Sequence, residues 1–235
     1  MRLLLTFIST LVISLSFGQN FSYPAVSETG QTTRDFVPAG WTILDSATGD
    51  LNKDKLNDAI IVLQHTGSLL LIKPGEAMED TVLMQPRMLV ILFRNPKDNN
   101  FYLVEQNNSF ILNHDDPSMD DPYQGINIYK GIFQINFHRF YNMGSWYTTK
   151  THYKFRYQNT RFILIGASYF TIHRSTLDFE DYSYNFLTKK RSLIKGNDNN
   201  RIKKTYWKPI KIDALRTLKI FKEPYSWEVE TDIYL

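Results

Sequence analysis

Cysteine is absent from the 235 residues, which rules out disulfide staples, thiolate metal sites, a cysteine nucleophile and a lipid anchor built on a lipobox cysteine. A glycine-rich phosphate loop, a nucleophile-elbow pattern and a His-x-x-x-His helix are also missing. The five histidines, His65, His114, His138, His152 and His173, are scattered without metal-ligand spacing. Charge of one sign is not in large excess, and a net +3 is too small to point to nucleic acid. The most prominent apolar run is residues 3–15, which is too short to span a bilayer.

That run follows Met1-Arg2, giving a positive n-region and an apolar h-region, the form of a secretory signal peptide. Small residues at Ser16 and Gly18 suggest cleavage before Gln19. The expected organisation is a signal peptide over 1–18, a flexible arm over 19–34 and a single domain over 35–235. The expected location is periplasmic or extracellular, with no transmembrane anchor once the signal is removed; an uncleaved anchor is the alternative. Export without disulfides fits a bacterial envelope better than a stapled eukaryotic module.

Fourteen tyrosines and sixteen phenylalanines suit sheets rather than helices. Trp41 to Leu44, Ala59 to Gln64, Ser68 to Ile72, Arg87 to Arg94 and Phe101 to Glu105 read as strands, with Arg87 to Arg94 central to a sheet because its apolar run is unbroken. Gly125 to Phe140 alternates on either side of a Lys130-Gly131 turn. Trp146 to Tyr157 and Arg161 to Gly166 form a hairpin about Asn159-Thr160, and further strands follow at 181–188, 191–195 and 204–209. Leu215, Leu218 and Phe221 are spaced for one or two helical turns, with a strand as the alternative. The fold class is therefore all-β, an antiparallel meander of hairpins with little helix: propeller-like, or alternatively a barrel or sandwich. No repeat period is visible.

One stretch states a piece of chemistry. Gly49-Asp50-Leu51-Asn52-Lys53-Asp54-Lys55-Leu56-Asn57-Asp58 places oxygen side chains at loop positions one, three, five and nine, with the Leu56 carbonyl at position seven, ahead of an apolar strand. Calcium takes six to eight oxygen ligands, so alternate residues of a tight loop must aim inward. The candidate ligands of a structural Ca2+ are Asp50, Asn52, Asp54, Leu56 and Asp58. Lys55 replaces the glycine usual at position six, and Ile61 stands where an EF-hand has glutamate, so an EF-hand is not expected. The competing reading is an Asx-rich turn held by its own hydrogen bonds, without metal.

This loop resembles the calcium loops of FG-GAP repeats in integrin-like β-propellers. Phe36-Val37-Pro38-x-Gly40-Trp41, the loop itself, Gly125-Ile126-x-Ile128-x-x-Gly131, Tyr153 to Asn159 and Asn185-Phe186-Leu187-Thr188 together resemble a group of secreted bacterial proteins of Bacteroidetes type. The resemblance implies export and a shared fold, and it carries no activity and no catalytic residue.

Two further clusters merit attention. Arg139, Tyr141, Trp146 and Tyr147 surround a turn; exposed, they make a platform for stacking on sugar rings or anchoring a protein, and buried, they are sheet core. His114-Asp115-Asp116 with Asp120 and Asp121 is either a solvated loop or an acid/base cluster. Twelve Lys and Arg between Lys189 and Lys222 stand against Asp198 and Asp213, which reads as a solvated basic face. The functional expectation is an exported, calcium-stabilised binding module, more in keeping with a non-enzyme, whose partner is an envelope polymer or protein and not nucleic acid. The alternative is a calcium-dependent hydrolase of glycans or another envelope substrate.

Overall fold

Alternating side chains, tight turns and two unbroken apolar runs account for most of the architecture in the computed structural model, which describes residues 21–73, 80–200 and 203–235. The expected signal peptide and its cleavage site lie outside the described residues. The strands in chain order are β1 (Thr29–Gly30), β2 (Trp41–Gly49), β3 (Asp58–His65), β4 (Leu69–Lys73), β5 (Asp80–Met84), β6 (Arg87–Arg94), β7 (Phe101–Asn107), β8 (Tyr123–Tyr129), β9 (Ile132–Phe140), β10 (Tyr147–Gln158), β11 (Arg161–His173), β12 (Asp178–Asn185), β13 (Lys190–Asn197), β14 (Lys203–Pro209), β15 (Glu228–Glu230) and β16 (Ile233–Tyr234). A 3-10 turn covers Thr33–Phe36. The chain is all-β and antiparallel, and both large sheets are open.

The first sheet has five strands in the order β1-β7-β6-β3-β2, and the second has seven in strict sequence from β14 back to β8. The turns of the larger sheet are those the sequence dictates. Lys130 and Gly131 have φ of 51° and 74°, and Asn159 and Thr160 have φ of 51° and 60°. Two positive φ values in a two-residue loop match the twist of the strands they join. The edge strand β14 is exposed along its whole length and carries Lys203, Lys204 and Lys208.

The two sheets share one core. Ile60, Val62, Leu89 and Ile91 from the smaller sheet meet Phe133, Ile135, Phe137, Tyr153, Phe155 and Leu164 from the larger. The other face of the smaller sheet is covered too: Ala59, Ile61, Leu63, Met88, Val90 and Leu92 pack with Val26, Phe36 and Trp41. Burial on both faces explains why β3 and β6 read as unbroken apolar runs, where one-sided strands would alternate.

The covering layer is the segment expected to be a flexible arm. Residues 21–34 are instead folded onto the sheet. Phe21 and Tyr23 lie 5.0 Å apart, Tyr23 lies 5.9 Å from Trp41, and Thr29–Gly30 pair with Tyr102 and Phe101. Its polar composition concealed the spaced apolar residues Phe21, Tyr23 and Val26 that hold it.

Residues 212–221 form no helix. Leu164 N–H donates to the Arg216 carbonyl and Leu218 N–H to the Phe162 carbonyl, bridging the segment to β11. Leu218 and Phe221 are buried because this bridge and the turn after it drive them into the shared core. The strand β5 and the β15–β16 hairpin were not anticipated from sequence.

Candidate functional site

The acidic loop joins β2 to β3 as expected. The Asp50 carboxylate accepts N–H groups of Lys53 at 2.6 Å, Asp54 at 3.2 Å and Lys55 at 3.0 Å. Asn52 donates through Nδ2 to Asp54 Oδ2, and Asp54 Oδ1 accepts the Leu56 amide. Lys53 and Lys55 adopt φ of 69° and 73°, so lysine occupies the left-handed position that glycine takes at least cost. Asp58 faces the other way. It is fully buried, and its carboxylate accepts the amides of Leu51, Asn52 and, across the sheet, Arg94. Burial raises its pKa, against the lowering effect of those three amides.

The loop therefore divides into two parts. Asp50, Asn52 and Asp54 gather at the rim, where their oxygens accept the loop's own N–H groups, and Asp58 ties the loop's base to β6. Among the described residues no three His, Asp or Glu side chains converge as a metal-holding group. Calcium here would rest on Asn52 and main-chain oxygen such as the Leu56 carbonyl beside the two rim carboxylates.

The larger sheet builds a second feature. Its inward face carries a row of cross-strand neighbours, Arg139, Thr149, Thr171, Glu180, Lys195 and Lys204, running from β9 to β14. The row lies at the end of the face beyond the residues of the shared core. Five strand spacings of about 4.8 Å give it a span of about 24 Å. Cavities adjoin along it. One of about 500 Å³ is lined by Arg139, Tyr141, Tyr225, Asp115, Asp116 and Glu223. The next, about 400 Å³, shares Arg139, Tyr141 and Tyr225 and adds Tyr147, Tyr169 and Tyr234. The third, about 710 Å³, shares Tyr147 and adds His173, Glu180 and Lys195. Shared residues link the three into a trough lined by tyrosine rings, by Thr149 and Thr171, and by the carboxylates of Asp115, Asp116, Glu223, Asp232, Asp178 and Glu180.

Local structure presents these rings. Met119 bridges Tyr141, and Asp120 N–H bonds the Phe140 carbonyl, so the loop of residues 113–122 pins the end of β9. Arg174 holds the following turn through the Ser145 carbonyl and the Trp146 carbonyl. Trp146 and Tyr147 are 65% and 54% exposed, and Trp146 stacks on His173. They are thus exposed and not sheet core.

Tyr225 has φ of 63°, a costly conformation for a bulky side chain. Its amide donates to the hydroxyl of the fully buried Tyr153. Its ring lies under the Arg139 guanidinium at 4.8 Å, and burial pushes its own hydroxyl pKa up to about 12.

The aspartates are not brought together as one site. Asp121 forms a two-pronged ion pair with Arg87 at 2.8 and 2.5 Å. Asp116 accepts the Ser118 amide, and Asp120 meets Asn142 at 3.5 Å. Asp115, Asp116 and Glu223 line the same cavity of the trough.

Tyr169, Tyr225, Tyr234, Thr149 and His173 were not singled out from sequence. Tyr169 and His173 lie in the part of β11 past Gly166, and the inward alternation of 167, 169, 171 and 173 was the available signal. Tyr225 and Tyr234 come from a C-terminal segment that carries no local pattern. Comparison with protein-family models, with curated proteins and with solved structures finds no match for the chain.

Proposed function

We propose that this is an exported, non-catalytic module that binds an extended envelope glycan in the trough, on a two-sheet, sandwich-like frame, with the acidic loop holding a structural calcium ion. The observation that carries the reading is the trough: exposed Tyr147 lines a cavity together with Tyr141, Tyr169, Tyr225 and Tyr234, and exposed Trp146 precedes it in the chain. Aromatic faces backed by hydroxyls suit sugar rings, which present both C–H faces and hydroxyl edges. The cavities run from Arg139 on β9 to Lys195 on β13, four strand spacings or about 19 Å, which suits a polymer better than a single small molecule. The group resemblance and the leader-like first residues support export.

Binding is tested by calorimetric titration of residues 19–235 with envelope-derived oligosaccharides. Tyr147→Ala is expected to weaken binding about tenfold, equal to about 1.4 kcal/mol, with an unchanged melting midpoint. Equal affinity in parent and variant would exclude the trough. Asp115, Asp116 and Glu223 on one cavity favour a second reading, a glycan hydrolase; new reducing ends on prolonged incubation, lost in Glu223→Gln, would replace the first reading with it.

The calcium reading has its own expected outcome. A calcium titration after EDTA should raise the melting midpoint of the parent, while magnesium should not, and a hundredfold excess over Kd is worth about 2.7 kcal/mol. Asp50→Ala is expected to abolish that rise. Asp58→Ala, which strands three amides, should cost about 2 kcal/mol already in EDTA. A midpoint indifferent to calcium in the parent would leave the loop as an Asx-rich turn.

A further inference from the structure

Among the described residues, Arg139 is a trough cation that stands outside every ion pair, although Asp115, Asp116 and Glu223 line one of its two cavities and Asp232 the other. Arg139 is half-buried at the junction of the two cavities that share it. Its Nη2 donates to the Tyr141 hydroxyl at 2.8 Å, and its guanidinium carbon lies 5.7 Å from the Tyr141 ring centre and 4.8 Å from that of Tyr225. The ion pairs found among the described residues are Arg87 with Asp121, Arg191 with Glu230, Lys195 with Glu180 and Lys208 with Glu230, and Arg139 belongs to none of them.

A guanidinium has five N–H donors, and among the described residues Arg139 uses one of them, toward the Tyr141 hydroxyl. Drawing a charge partly out of water without an opposite charge is unfavourable. The left-handed backbone at Tyr225, which sets one of the two rings beside Arg139, adds a second unfavourable feature at the same spot. Both persist where an incoming group completes the arrangement.

We propose that Arg139 receives a carboxylate of the bound glycan, so that the ligand is an acidic polysaccharide of the uronate class. This inference rests on the trough reading above. The planar fork of arginine matches the two oxygens of a carboxylate, and the flanking rings exclude water from the pair and strengthen it. Tyr141, already bonded to Arg139, keeps the fork from rotating. Further along the row, Lys195 lines the trough but is engaged by Glu180.

The test compares oligogalacturonides with their fully methyl-esterified counterparts, which keep the ring and remove the charge. The parent is expected to bind the acid at least tenfold more tightly than the ester, with the advantage shrinking as sodium chloride is raised. Arg139→Gln should bring the two affinities together, and Arg139→Lys should leave an intermediate preference because an ammonium cannot make the paired contact. Tyr147→Ala should weaken both ligands alike. A parent without preference, or a preference that survives in Arg139→Gln, would overturn the carboxylate assignment. Tyr147-dependent binding of the ester would then leave the trough reading standing, whereas binding of neither oligomer would overturn both. Melting midpoints of the Arg139 variants within a few degrees of the parent show that the comparison is made on folded protein.

Discussion

Arg87→Ala is expected to lower the unfolding free energy by about 3 kcal/mol, the lower end of the range for breaking a buried ion pair. Arg87 is 3% exposed at the start of β6. Besides the two bonds to Asp121, its Nε donates to Gln64 and its Nη1 to the Leu112 carbonyl. It thereby ties the smaller sheet to the segment of residues 112–121. The Asp121 side chain is 44% exposed, and water can reach it once the arginine is gone, which is why the lower end applies. A urea transition with a reduced midpoint and an unchanged slope would report this loss. An unchanged midpoint would show that the pair contributes nothing.

The same pair sets a dependence on pH. Burial would raise the Asp121 pKa, but the hydrogen bonds and charge of Arg87 outweigh it and hold the carboxyl below its ordinary value. A carboxylate with a depressed folded pKa contributes stability above its unfolded pKa of about 3.9 and loses it as pH falls through the folded value. The parent should therefore lose stability below about pH 4 more steeply than Arg87→Ala does.

Phe110→Ala is expected to cost about 3–5 kcal/mol. Phe110 is fully buried, with ring centres of Phe155, Tyr153 and Phe221 at 5.2, 5.4 and 5.5 Å. It leaves the end of β7 on a turn in which Asn107 Oδ1 accepts the amides of Ser109 and Phe110. One ring thus joins the end of the smaller sheet, the larger sheet and the C-terminal segment, and no neighbour can refill its volume without breaking one of those contacts. Phe110→Leu should recover most of the loss, and denaturant unfolding of both variants measures it. A loss below about 1 kcal/mol would mean that the three parts do not meet at this ring.

The strands were legible where local signals agree. Period two over 125–157, the Lys130-Gly131 and Asn159-Thr160 turns and the unbroken run at 87–94 each name an element without help from distant residues. The covering role of Phe21, Tyr23 and Val26 was hidden because their partners, such as Trp41, His65 and Gln106, are distant in sequence. The segment 212–221 misled for the opposite reason: three apolar residues at helical spacing are also what a bridged turn buries. Of the trough, Arg139, Tyr141, Trp146 and Tyr147 could be named because they cluster in the chain. Tyr169 and Tyr225 reach it through strand register and through a hydrogen bond to Tyr153, which no short window contains.

The open edge at β14 bears on how the molecule behaves in a crowd. An unprotected edge strand is a template on which another copy can extend the sheet. Antiparallel docking of two such edges about Tyr206 would set Lys204 of one molecule against Lys208 of the other, and Pro209 offers no amide to the growing ladder. The positive charge concentrated late in the chain thus acts as a guard against lateral stacking, keeping separate molecules whose backbones would otherwise pair.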